Sequence, residues 1–433
     1  VSLFLLLVAC RSGGLGSNKA EAPGETSEPV DSTPLPDDSD SPPDDSDTPP
    51  PVDSDEPRTD LGEAPEFPDI MVDCAGGADF STIQAAIDNS RSGMRIGLRA
   101  CTYVENINFR GKAVDVYGMG GSAVTVIEGT GSGPVVTAVR GEGVGTRLAG
   151  VTISGGRSNL TGGGLYVDAA VLRLDDVRFT ENGRSASVAY VTGSSLELVD
   201  VRFDQNEVES GGAVILADNG SMLLQRVDLS CDGASYAIYQ HVSMIVLDSD
   251  IRCEGGSGVV VNRGELHLRR SRVEADGYAV YGEDKPDTPN ERMWFFNSAV
   301  VGGSVGAYSL YQMVRADNAV FYGGSVGLEI QYGHLESFVY DTAALGGTCG
   351  IRTDGSTYTS GWNAVQGTGA ACLSADMATI TADPQFVDAP ADLHLAPGSP
   401  LIDAGDPDPS NNDDDDTPND IGIYGGPEGD GPR

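Results

Sequence analysis

LRLDDVRFTENG, beginning at Leu172, is written again as LELVDVRFDQNE at Leu196, MLLQRVDLSCDG at Met222, MIVLDSDIRCEG at Met244 and LHLRRSRVEADG at Leu266. The steps between starts, by subtraction, are 24, 26, 22 and 22 residues. Each copy is followed, after a Gly-rich or polar turn, by a second phrase: VAYV at Val188, AVIL at Ala213, AIYQ at Ala237, VVVN at Val259 and AVYG at Ala279. Self-similarity at a period of roughly 20–30 residues marks a solenoid, in which a unit cannot bury its own apolar face and must stack on the next. Both phrases are short alternating runs with no helix-length segment. The predicted fold is therefore all-β, a single-stranded parallel β-helix.

Alternation sets the phase. Leu172 and Leu174 share a face, as do Val177 and Phe179, which sends Asp176 and Arg178 outward. The column before the Val slot reads Asp176, Asp200, Arg226, Asp248, Arg270. Stacked coils place such residues about 4.8 Å apart, where opposite charges attract and like charges repel. The pattern predicts an outward charge ladder in preference to a carboxylate site. The Val slot drifts to Ser249, Ser271, Ser298, Asn318, Thr342 and Asn363, which reads as a buried polar ladder at a corner. From Val151 to Asn363 there are nine steps in 212 residues, about 23.6 per coil.

Outward from this core, four segments follow. Residues 1–9, VSLFLLLVA, are too short to span a bilayer and read as the end of a signal peptide, with its basic start missing. Residues 10–67 are rich in Pro, Asp, Ser, Thr and Glu and predict a disordered acidic tether. Residues 68–405 form the β-helix. Residues 406–433 form an acidic tail whose aspartates cap turns, stay solvated or bind calcium weakly; no other cofactor is expected. Within the body, Ser81-Thr82-Ile83-Gln84 has the form of a capping box, predicting a short helix over 80–90 that covers the open N-terminal edge. Residues 283–291 read as a polar insertion, and Phe386, Val387, Leu393, Leu395, Leu401 and Ile402 as the closure of the last coil.

The net charge of −39 argues against nucleic acid as a partner. Six of the seven cysteines pair at separations of about one coil: Cys74–Cys101, Cys231–Cys253 and Cys349–Cys372. Vertical neighbours in a ladder suit a disulfide, and disulfides imply an oxidising compartment. The four histidines, His241, His267, His334 and His394, fall on separate coils, and no CxxC occurs, so no zinc site is expected. In the second phrase one outward column reads Tyr166, Tyr190, Ile215, Tyr239, Val260, Tyr281 and Tyr311. Its tyrosines form a candidate ligand-binding strip, each with an apolar ring and a polar tip.

Leu7-Val8-Ala9-Cys10 resembles a bacterial lipobox, which implies cleavage before Cys10, a lipid on that residue and membrane attachment; Arg11 at the next position leans towards the outer membrane. DFSTIQAAID, CTYVENINFRGKAVDVYG, VTVIEGTGSGPVVTA and LAGVTISGG together resemble the right-handed parallel β-helix superfamily of pectin lyases and pectin esterases. The closing DPQFVD, DLHLAPGSPLIDAGDP and DIGIYGG resemble secreted bacterial β-helix proteins. Phe179-Thr180-Glu181-Asn182, Phe203-Asp204-Gln205-Asn206 and Gly211-Gly212-Ala213-Val214 are similar to the FxxN and GGAI repeats of polymorphic outer membrane proteins, which build surface-displayed adhesins.

The superfamily's catalytic segments are harder to find. Thr102-Tyr103-Val104-Glu105 lies where pectin esterases carry GxYxE, a mainly structural motif, and no QAVAL-like or DFIFG-like segment follows. Arg352-Thr353-Asp354-Gly355 has only the middle of a polygalacturonase NTD motif. A lyase would need clustered carboxylates and an unpaired arginine base, for which Arg269, Arg270 and Arg272 are the nearest candidates. The resemblances imply a lipid-anchored, surface-displayed module for binding or adhesion, with glycan as a candidate ligand. The alternative is a polysaccharide lyase, esterase or hydrolase of the pectin-lyase fold. A third reading is a structural surface protein with no discrete ligand.

Overall fold

Each repeat becomes one coil of three strands, and the coils stack in parallel. A computed structural model describes residues 67–429 except 159–161, 184, 285–290, 334–336, 355, 357 and 368–379. The leader with Cys10, nearly all of the tether, His334, Cys372 and most of the polar insertion lie outside the described residues. About 12 turns form a right-handed parallel β-helix. The first face begins with Ile70–Val72, Arg95–Leu98 and Asp115–Gly118. The second begins with Cys101–Val104 and Thr125–Glu128, and the third with Ile107–Asn108 and Val136–Ala138. The quoted repeats fall into strict register: Leu172 pairs with Leu196, then Met222, Met244 and Leu266. Their side chains point inward and are almost wholly buried in one continuous core. Phe179 stacks on Phe203 inside it, centroids 4.6 Å apart.

The column Asp176, Asp200, Arg226, Asp248, Arg270 is the corner between the first and second faces. Every member has φ between 44° and 54°, a conformation that costs a non-glycine residue. Register continues the column through Asn297, Asn318, Asp341 and Trp362, all with positive φ. The predicted charge pairs form: Arg226 to Asp200 at 2.6 Å and Arg270 to Asp248 at 2.7 Å. Asn318 therefore belongs to this corner, and Ala319 takes the slot the sequence reading gave it.

The buried polar ladder stands one residue further on. Ser249 Oγ accepts from Val227 N and donates to Leu247 O. Ser271 Oγ accepts from Ser249 N and donates to Arg269 O. Ser298, Thr342 and Asn363 repeat the arrangement. Each hydroxyl or amide thus satisfies a backbone group that the corner would otherwise strand. Asn182 and Asn206, the asparagines of the FxxN phrases, do the same at the next corner.

The N-terminal helix is Ile83–Asn89 and buries Ile83, Ala86 and Ile87. Its cap is Thr82, whose side chain accepts from Ala85 N at 3.3 Å, so the expected box is absent. Gln84 instead brackets the backbone of Asn108, accepting from its N–H at 2.7 Å and donating to its carbonyl at 3.2 Å. Glu105 accepts from the N–H groups of Ile83 and Gln84 at 2.8 and 2.9 Å, placing a carboxylate at the positive end of the helix.

The C-terminal segment does not close the last coil. Ile380 does so, exchanging backbone hydrogen bonds with Asn363 and Val365. Leu393, Leu401, Ile421 and Ile423 pack instead on the flank, against Ala299, Val320, Ala343 and Ala364. Val387 and Ile402 are exposed. The tail then runs along the first corner. Asn297 Nδ2 donates to Ile423 O and Gly425 O, Asn318 Nδ2 to Asn419 and Asp420 O, and Asp341 accepts from Asp406 N. The tail's aspartates cap backbone: Asp413 accepts from Gly426 N and Asp420 N, and Asp408 from Ser410 N. Two disulfides join neighbouring coils, Cys74–Cys101 with Cα atoms 6.3 Å apart and Cys231–Cys253 at 4.6 Å.

Candidate functional site

The third face carries the tyrosines. Register places Tyr166, Tyr190, Leu216, Tyr239, Val260, Tyr281 and Tyr308 in one column, followed by Glu329 and Arg352. The tyrosines are half-buried, pointing out between buried neighbours such as Leu165 and Val167. Two corrections follow. Leu216, not Ile215, occupies the third coil, and Tyr308, not Tyr311, ends the tyrosine series. Tyr311 sits at a corner with φ of 65° and stacks on Tyr332, centroids 5.8 Å apart.

The rings stand upright. Tyr166 and Tyr190 stack at 5.7 Å and 16°, and Tyr281 and Tyr308 at 5.1 Å and 9°. Ring faces inside each pair are therefore covered, and the strip presents edges and hydroxyls there. Tyr239 differs: its column neighbours are Leu216 and Val260, with Tyr236 and His241 packed beside it. Two residues on runs a polar column. Tyr166 donates to Asp168 at 3.3 Å, Tyr281 to Glu283 at 2.9 Å and Tyr308 to Gln331 at 3.3 Å. Tyr239 accepts from Asn262 at 2.7 Å, and His241 meets Asp218 at 3.2 Å. Burial, then the neighbouring carboxylate, pushes the phenols of Tyr166, Tyr281 and Tyr308 above their ordinary value. They stay protonated as donors.

The first face holds a second aromatic surface, which the sequence reading missed. His267 and Trp294 lie in register with ring centroids 4.2 Å apart. Arg292 lies over Trp294 at 5.9 Å and Arg315 over Phe296 at 5.4 Å. Phe338 continues the column, and Tyr340 packs at 6.3 Å against Trp362, so both tryptophans of the chain are on this side. The signal was present in Met293-Trp294-Phe295-Phe296, whose alternate residues cannot all face the core.

The second face offers a cleft of about 610 Å³, lined by Arg252, Glu254, Glu274, Asp276, Tyr322 and Pro390 among others. Three of its four charged lining residues are engaged. Arg252 pairs with Asp250, Glu274 with Arg272 at 2.9 Å, and Asp276 accepts from Gly255 N at 2.7 Å. The arginines named as candidate bases are also held: Arg269 and Arg270 by Glu428, and Arg272 by Glu274 and the Pro390 carbonyl. The GxYxE-like segment is structural. Tyr103 donates to Val72 O or Arg99 O, at 3.0 and 2.9 Å, and burial pushes its phenol up to about 12, while Glu105 caps the helix. Among the described residues no three His, Cys, Asp or Glu side chains converge as metal ligands.

Neither a protein-family model nor a curated protein sequence matches the chain. Among solved structures, pectate lyase Pel9A is similar at 13% identity and a TM-score of 0.37, over 80% of this chain and 91% of that one. Pectin methylesterase from carrot is similar at 13% identity and a TM-score of 0.27, over 73% and 89%. The parallel β-helix itself is established by the coil-to-coil register.

Proposed function

We propose that this chain is a non-catalytic binding or adhesion module that takes an extended glycan along the tyrosine column of its third face. It is displayed from the bacterial outer membrane by a lipid on Cys10 and the acidic tether. The observation that carries the reading is the column itself. Five outward tyrosines in one register, four of them tied to a polar partner and Tyr190 stacked on Tyr166, form an amphipathic surface that repeats with the coil. Sugar rings need both an apolar contact and hydrogen-bond partners, and this surface supplies the two side by side. A glycan array probed with wild type and Tyr190→Ala/Tyr239→Ala tests it. Binding that drops at least tenfold in the folded double variant supports the strip; no binding, or unchanged binding, rejects it.

Display is tested separately. Metabolic labelling with a clickable fatty acid should mark wild type and not Cys10→Ser; equal label in both contradicts the anchor. The runner-up reading, polysaccharide cleavage, draws on the second-face cleft with Glu274 and Arg252. Depolymerisation of any polysaccharide by wild type, abolished in Glu274→Gln, would replace the binding reading.

A further inference from the structure

Charge on the third face narrows the ligand class, an inference that rests on the binding strip proposed above. Asp168, Asp218 and Glu283 line its polar column and Asp354 ends it, while Glu329 follows Tyr308 in the tyrosine column. Arg352 is the one arginine or lysine in register with them among the described residues, and it is held by Glu329 at 3.3 Å. Five carboxylates thus face one guanidinium, within a chain of net charge −39. Asp168 and Asp218 are two coils apart, and Glu283 stands three coils from each of Asp218 and Asp354. That is on the order of 10–14 Å, longer than the Debye length of about 8 Å at physiological salt, so each carboxylate acts as a separate local subsite.

We infer that the strip selects a cationic glycan, an amino-sugar polymer with free amines, over neutral or uronate chains. Its ammonium groups meet the carboxylates where Tyr166 and Tyr281 already point their hydroxyls. Tyr239, flanked in its column by Leu216 and Val260, offers a ring to a cation between carboxylate subsites. A polyuronate would meet the same field with the wrong sign.

Calorimetric titration of the full chain decides it. The probes are a fully deacetylated chito-oligosaccharide, its N-acetylated counterpart of equal length and an oligogalacturonate of equal length. At low salt the free-amine ligand should bind at least tenfold tighter than the N-acetylated one. The ratio should fall towards one in 0.5 M salt, roughly where screening shortens to a few ångströms, and in Asp218→Asn/Glu283→Gln. A circular-dichroism melt checks that this variant folds. Equal affinity for the amine and N-acetyl ligands, or tighter binding of the uronate, overturns the charge inference and leaves the strip standing. Failure of all three probes, or binding untouched by Tyr190→Ala/Tyr239→Ala, removes the strip and this inference with it.

Discussion

A residue in the left-handed region costs about 1–2 kcal/mol, yet the first corner places one on every coil from Asp176 to Trp362. The ladder beside it offsets that cost by satisfying the backbone through Ser249, Ser271, Ser298, Thr342 and Asn363. Ser271→Ala should therefore strand the buried Ser249 N–H and cost roughly 1–3 kcal/mol; a denaturant titration with unchanged midpoint would contradict the ladder's role. The corner also explains why the sequence reading placed Asn318 one residue off. Asn and Asp tolerate positive φ, but Arg226, Arg270 and Trp362 share the column and carry no local sign of it. The polarity of Asn318 resembles that of Ser298, but its conformation matches it with Asn297. Asp341, in the same column, carries the clearest titration. Burial pushes its carboxyl from 3.8 up to about 7; the Asp406 amide opposes this, and the Asp406 and Asp317 charges add to it. Because the folded value is the higher one, its contribution is complete below about 3.8 and is lost as pH rises through about 7. Asp341→Asn should raise the melting temperature at pH 8 but not at pH 4, by at most about 4 kcal/mol of stability; equal melts at both values would contradict it.

At the scale of elements, register was legible wherever coils kept their length. The Leu172 series, the polar corner and the pairing of Cys231 with Cys253 follow from steps of 22 to 26 residues. Register is hard to read where a coil lengthens: from Tyr281 to Tyr308 the step is 27 residues, spanning the polar insertion, and Tyr311 lies close enough in sequence to mimic the column member. The C-terminal segment was misplaced for another reason. An outward column on the second face turns from Arg202, Asp228, Asp250 and Arg272 to Ala299, Val320, Ala343 and Ala364. Outward apolar residues need a cover, and the flank-bound segment is that cover. Two element-level outcomes follow. Cys231→Ala/Cys253→Ala should lose about 2–4 kcal/mol without changing the far-ultraviolet spectrum. Glu105→Ala, which uncaps Ile83 and Gln84, should cost about 1 kcal/mol and speed amide exchange in Ile83–Asn89; exchange that is no faster would show that the cap is held otherwise.

At the scale of the whole molecule, stacking turns a short sequence phrase into a long surface. One outward position per coil becomes a column, so a modest preference for Tyr in the second phrase yields a strip of five rings. The same multiplication produces the Arg95–Asp115–Arg147 run of ion pairs at the start of the first face and the His267–Trp294 platform further along it. A surface of this kind suits a repetitive ligand, because each coil meets an equivalent unit. Deleting residues 381–433 should leave the strip's binding intact while exposing the Ala299–Val320–Ala343 column. Binding of a fluorescent apolar dye should rise, and an unchanged dye signal would contradict the flank-bound placement. The strip is most directly tested by labelling the 15 tyrosine rings of the chain with carbon-13, assigning them by Tyr→Phe variants and titrating a chito-oligosaccharide. Shifts confined to Tyr166, Tyr190, Tyr239, Tyr281, Tyr308 and their ring contacts are the predicted result. Shifts centred on Tyr322, Tyr340 or Tyr424, with the third face silent, would contradict it.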